Sequence, residues 1–122
     1  DAEILSRQND EFRQGIQLIP IGTIDIARRT TKLKGEIVTT IGVHTMTSKS
    51  RKKLFQEVIN YNDFTSDNDP CGEHDFGSID IEGETYFWKI DYYDSDVRYG
   101  SSEPTNPDKT YRVLTVMRSD EY

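Results

Sequence analysis

Between Thr85 and Tyr93 every second side chain is large, with Tyr86, Trp88, Ile90 and Tyr92 on one face of an extended chain and Phe87, Lys89 and Asp91 on the other. A period of two commits this stretch to a strand, and a one-residue slip in its pairing would turn Trp88 out into water. The first set reads as the core face, and Phe87 beside Lys89 as a candidate exposed contact. Upstream, Gly77 to Ile81 forms the other arm of a hairpin across Glu82-Gly83-Glu84. Tyr111 to Met117, rich in Val, Leu, Thr and Tyr, reads as a last strand.

Other stretches follow the helical period. Ser48 to Asn60 places Leu54, Phe55, Val58, Ile59 and Tyr61 on one stripe opposite Lys49, Arg51, Lys52 and Gln56, with Thr47 or Ser48 as N-cap. Ala2 to Gln14 reads as a second helix, with Ile4, Gln8 and Phe12 on one face, Leu5 beside them and Gly15 as its stop. Glu36 to Ile41 follows Gly35, is β-branched in most positions and reads as a strand that Gly42 ends. Ile16 to Thr31 mixes β-branched residues with Pro20 and Gly22, and reads either as an irregular excursion or as a short strand pair. Asn62 to Asp75 and Asp94 to Lys109 are loops by composition. With 122 residues, the chain is expected to form a single domain over residues 1–122. Its expected class is α+β, two-layer, with an antiparallel sheet of about four strands as a meander and two helices on one face.

Charge divides the chain. Residues 1–60 carry ten Lys or Arg against seven Asp or Glu, and residues 61–122 carry five against fifteen. The acidic half disfavours nucleic acid as a partner and favours a protein with a basic surface. The basic stretches Arg28 to Lys34 and Lys49 to Lys53 read mostly as solvated faces. One cysteine, Cys71, forms no internal disulfide, so a cytoplasmic location is the expectation. No apolar run reaches the roughly 20 residues that span a bilayer, so no membrane segment is expected. The start, Asp1-Ala2-Glu3-Ile4, has neither a basic nor an apolar leader region, and the missing Met leaves an upstream segment open.

Several ordered motifs stand out: Asn9-Asp10-Glu11-Phe12, Asp67-Asn68-Asp69-Pro70, Gly72-Glu73-His74-Asp75-Phe76-Gly77, Phe87-Trp88-Lys89-Ile90-Asp91-Tyr92-Tyr93-Asp94 and Arg112-Val113-Leu114-Thr115-Val116-Met117. They resemble a family of small bacterial proteins catalogued as a domain of unknown function, common in alphaproteobacteria and on their plasmids. The resemblance covers roughly residues 35–122 plus the motif near the start. It implies a bacterial, cytoplasmic, mobile-element setting and brings no established activity. Cys71 stands where members often carry an aromatic residue, and the segment from Ile16 to Leu33 is longer than usual.

Chemistry concentrates around His74. A metal reading draws on Asp67, Asp69, Glu73, His74 and Asp75, with Asp91 and Asp94 across the hairpin, since carboxylates and imidazole ligate divalent cations. The calcium-loop template fails at Cys71 and at Ser78, and one Cys with two His makes no zinc set, so no metal and no cofactor are expected. As an acid/base site, His74 would be oriented by Asp75 or Asp91. A plainer reading makes the same loop a scaffold of Asp, Asn, Pro and Gly turns held through side-chain to backbone bonds. His44 reads as a surface or strand-end residue. No nucleophile stands out: Cys71 has only His74 near it, and Ser78, Ser101 and Ser102 lack an elbow motif.

Two functions remain. The favoured one is a non-enzymatic binding or inhibitor module whose acidic residues Asp67, Asp69, Glu73, Asp91, Asp94 and Asp96 meet a basic protein partner, imitating nucleic-acid phosphate. The other is a small hydrolase, with or without a metal ion, using His74 with Asp75 and Asp91. A catalytic site predicts that these three converge in a pocket, and a binder predicts an acidic surface without one.

Overall fold

A computed structural model describes residues 1–21 and 24–122, the side chains of residues 20–21 and 24–26 apart. In chain order the elements are α1 (Ala2–Gln14), β1 (Ile16–Ile21), β2 (Ile24–Arg29), β3 (Gly35–Thr39), α2 (Ile41–His44), α3 (Ser48–Ile59), β4 (Phe76–Ile81), β5 (Glu84–Tyr93) and β6 (Tyr111–Arg118). The main sheet has four strands in the order β3-β6-β5-β4. Its inner face carries Ile79, Ile81, Tyr86, Trp88, Ile90, Leu114 and Val116, which pack with Leu54, Phe55 and Val58 of α3 and Phe12 of α1 into one hydrophobic cluster. The architecture is therefore α+β in two layers. No helix among the described residues is long and apolar enough to cross a membrane.

Trp88 is the centre of that cluster and has no exposure to water. The expected alternation holds at Tyr86, Trp88 and Ile90, whereas Tyr92 is half-buried and turns its hydroxyl to polar partners. On the outer face the Phe87 ring packs at a tilt against Phe76 and edge-to-face with Tyr122. The hairpin turn is Glu82-Gly83, and both residues take positive φ (52° and 85°), the backbone that a two-residue connection between right-twisted strands demands.

Three expectations are corrected. The sheet is not a meander throughout, because β3 pairs with β6 in parallel, Ile37 facing Leu114. The 12-residue helix α3, about 18 Å long, carries the chain back across the sheet between β3 and β4, so both strands run the same way on opposite edges. Strand β3 also stops at Thr39, and Ile41 and Gly42 belong to the helical turn α2. The cause is Glu121, whose carboxylate accepts from the Thr40 hydroxyl (2.6 Å) and the Gly42 N–H (2.8 Å), bending the chain out of the strand. Finally, α1 buries Leu5, Asn9, Phe12 and Arg13, while Ile4 is exposed. Its inward stripe is offset by one residue from the apolar pattern, because two polar side chains occupy it.

The segment after α1 is the short strand pair, with Leu18 opposite Ala27; Gly22, which the sequence marks as a break there, lies outside the described residues. Helix α3 begins at the Thr47 cap, whose hydroxyl accepts from the Ser50 N–H. A Cβ added at Gly77 would stand 2.2 Å from Trp88 Nε1 and 2.8 Å from the Tyr61 ring. Gly77→Ala is therefore expected to cost about 2 kcal/mol through overpacking, read as a lower urea midpoint at unchanged slope.

Candidate functional site

The polar residues that α1 buries are the start of one connected network. Asn9 donates through Nδ2 to the Glu73 carbonyl (3.0 Å) and the Tyr92 hydroxyl (2.7 Å), and its Oδ1 accepts from Arg112 Nε (2.9 Å). Tyr92 in turn donates to the Glu73 carboxylate at 3.0 Å. Arg112, fully buried on β6, also donates to Gln8 Oε1 (2.7 Å) and lies over the Tyr92 ring. Burial lowers its basicity, with Tyr92 and Glu11 acting in the opposite direction. One end of α1 is thus joined to the loop before β4, to β5 and to β6.

One turn further on, Arg13 is equally buried. Its Nη1 donates to the carbonyls of Val58 (2.8 Å) and Ile59 (3.0 Å), the last residues of α3, and its Nη2 donates to Asp10 at 3.0 Å. A cation at a helix C-terminus satisfies orphan carbonyls and meets the negative end of the dipole. The guanidinium also lies 5.0 Å from the Trp88 ring and 5.7 Å from Phe64.

His74 completes the cluster. Its backbone is left-handed (φ 56°), and its N–H donates to Asp69 Oδ1 at 3.2 Å. Its Nδ1 lies 3.0 Å from both oxygens of Asp10, its Nε2 faces Asp69 Oδ2 at 3.7 Å, and its ring stacks flat on Phe64 at 3.8 Å. Both ring nitrogens face carboxylates and one ring face is covered. The Nδ1 contact with Asp10 ties the loop to α1, while Nε2 makes no hydrogen bond at 3.7 Å.

The residues singled out with it go elsewhere. Asp91 lies on the outer face of β5, paired with Lys89, away from the Trp88 side on which α1 packs. Asp75 gives its carbonyl to the Ile90 N–H, and its carboxyl is pushed above the ordinary range, first by burial and then by Glu73, Asp69 and Asp91. Of the acidic set, the Asp69 side chain is 7% exposed and occupied with His74, Glu73 receives Tyr92, and Asp94 accepts from the Arg98 N–H. Asp67 and Asp96 are exposed. The antiparallel β4–β5 pairing nevertheless brings both acidic loops, residues 60–75 and 94–110, to the same end of the sheet. His44 ends α2 and meets the Thr39 hydroxyl at 2.9 Å, and Cys71 is exposed. Among the described residues no group of three or more His, Cys, Asp or Glu is placed to hold a metal ion.

Sequence reasoning about chemistry passed over Asp10, Arg13, Arg112 and Phe64, although three of them lie in or beside the motifs quoted above. The available signal was the pair Asn9 and Arg13, four apart and interleaved with Leu5 and Phe12 on one helical face.

Fold and site together define a small two-layer α+β protein whose N-terminal helix is bolted by buried polar side chains to the acidic end of the sheet. The chain belongs to the family described as "Protein of unknown function (DUF3768)", whose model matches residues 39–121. No curated protein and no solved structure matches it. The resemblance read over roughly residues 35–122 holds at the level of a family of unknown function, and the matched span begins after α1 and so excludes Asn9, Asp10 and Arg13.

Arg13→Ala is expected to cost about 3 kcal/mol, since it strands Asp10 and two α3 carbonyls, whereas Phe64→Leu costs about 1; urea titration measures both. Asp75 supplies a pH test. Its folded-state pKa is raised, so the folded chain holds that proton more tightly than the unfolded chain, and the benefit is lost as pH rises through the folded value. Asp75→Asn should therefore melt higher than wild type at pH 7 and converge with it near pH 3.

Proposed function

We propose that this protein is a non-enzymatic binding module whose acidic sheet end meets a protein with a basic surface. The observation that supports the reading is the gathering of both acidic loops at one end, where Asp75 already feels the field of Glu73, Asp69 and Asp91. Negative potential concentrated this way steers a basic partner in and turns nucleic acid away. Asp67, Asp94 and Asp96 supply the outward charge, while Asp69 and Glu73 hold the loop that presents it; Asp91 contributes from the outer face beside Lys89. In its finer form the module is a cytoplasmic bacterial protein carried by a mobile element, and it inhibits a nucleic-acid-binding protein by occupying the place of phosphate. The hydrolase reading loses ground because His74, Asp75 and Asp91 do not converge: His74 meets Asp10, and Asp91 pairs with Lys89 on the outer face of β5.

The test is affinity capture from a cell lysate at low and raised salt, with wild type, with His74→Ala, and with Asp67, Asp94 and Asp96 all changed to Asn. Asn preserves the Asp94 cap while removing three charges. A stoichiometric basic protein retained by folded His74→Ala, and lost both with salt and with the triple variant, is the expected result. A partner indifferent to salt and to the triple variant sinks the proposal.

A further inference from the structure

Strand β4 is an edge of the sheet, and beside it, against the C-terminal turn of α3, runs a groove of about 320 Å³. Its lining includes Glu57, Asn60, Tyr61, Asp63, Ser78 and Asp80. The hydrogen-bond parity of β4 follows from its two ends. Ile81 and Glu84 close a two-residue turn, and the Ile90 N–H donates to the Asp75 carbonyl at 2.8 Å. Asp75, Gly77, Ile79 and Ile81 therefore turn their backbone groups toward β5, and Phe76, Ser78 and Asp80 turn theirs into the groove. The Tyr61 hydroxyl donates to the Asp63 carbonyl at 3.2 Å, and Phe76, Ser78 and Asp80 are the outward rungs along the groove.

An open edge beside a helix is the geometry in which an extended peptide adds to a sheet. Charge selects which peptide. Glu57 and Asp63 are exposed, Asp80 is exposed while accepting from the Thr85 hydroxyl (2.8 Å), and none of the lining residues is a cation. We infer that this groove binds an extended, Lys- or Arg-bearing protein segment as an added strand on β4. Its backbone pairs with Phe76, Ser78 and Asp80, while its basic side chains face Glu57, Asp63 and Asp80. The inference rests on the acidic-binder reading and supplies it with a docking site on a rigid element.

The test uses the full chain and an acetylated peptide of three Lys-Val repeats, followed by amide chemical shifts. Saturable shifts confined to residues 57–63 and 76–81 are expected. The same peptide N-methylated at alternate residues keeps its charge but loses its donors, and should bind at least tenfold more weakly; a Glu-Val peptide should not bind. Ser78→Pro removes an outward donor at an edge position and should abolish binding. Glu57→Lys with Asp80→Lys, both on exposed positions, should weaken it at least tenfold and serves if the proline variant does not fold. Equal binding of the methylated peptide, shifts elsewhere, or no binding at millimolar peptide overturns the inference. The triple loop variant separates the two ideas. If it captures no partner from lysate yet binds the peptide normally, the groove stands apart from the loops. If wild type captures a basic partner and ignores the peptide, the groove alone fails.

Discussion

A guanidinium with no access to water holds α1 and α3 together. Arg13 has no solvent exposure, and a bare charge in that position would cost several kcal/mol to bury. Two carbonyls at the end of α3, the Asp10 carboxylate and the faces of Trp88 and Phe64 replace most of its hydration, and its Nε alone is left without a hydrogen-bond partner. Each of these groups depends on Arg13 in return. Without it, the α3 carbonyls are orphaned against the core, and Asp10 loses the cation that sits opposite its contact with His74. The same few atoms therefore set the pose of α1, the end of α3 and the path of the loop that enters β4. Asn9 and Arg112 repeat the scheme one turn earlier, joining α1 to β5 and β6 with neutral partners around a second buried cation.

This arrangement explains why a polar loop keeps one shape. Residues 60–75 contain little that could pack, and Asp, Asn, Pro and Gly usually leave such a stretch to solvent. Here His74 adopts a left-handed backbone that a non-glycine residue takes up only when its surroundings require it. Those surroundings are Asp69 on its N–H, Asp10 on its ring and Phe64 beneath. An imidazole so enclosed stiffens the platform from which Asp67 and its neighbours reach solvent. Preorganised charge of this kind gains affinity by lowering the ordering cost of binding.

How much of this was legible in the sequence follows from which forces leave a period. The stripes of Trp88 and Leu54 do, so β5, α3, the hairpin and the two-layer class were all readable. Burial of Asn9 and Arg13 leaves none, because polar residues on a helix are read as surface until their partners are known. Those partners lie up to 103 residues away in the chain, as with Asn9 and Arg112. The parallel pairing of β3 was hidden for a related reason: a β-branched run encodes a strand but not its neighbour. The break after Thr39 depended on Glu121, far off at the other end. At the candidate site, the sequence offered Asp75 or Asp91 as the companion of His74, whereas the strand sends Asp91 to the face opposite Trp88 and the carboxylate at the ring is that of Asp10.

The two edges of the sheet are treated differently, and the difference bears on function. Exposed edges invite pairing between copies, and natural sheets guard them with charge or cover. Strand β3 has β2 packed near it. Strand β4 is flanked by the Tyr61 side chain and the carboxylates of Glu57, Asp63 and Asp80. Two copies approaching edge to edge would bring six carboxylates together, so self-association through β4 is opposed by the groups that line it. A segment bearing Lys or Arg feels the same field with the opposite sign. The guard against the wrong partner and the attraction for the right one are thus a single set of side chains, which is how an edge is left open without becoming a site of aggregation.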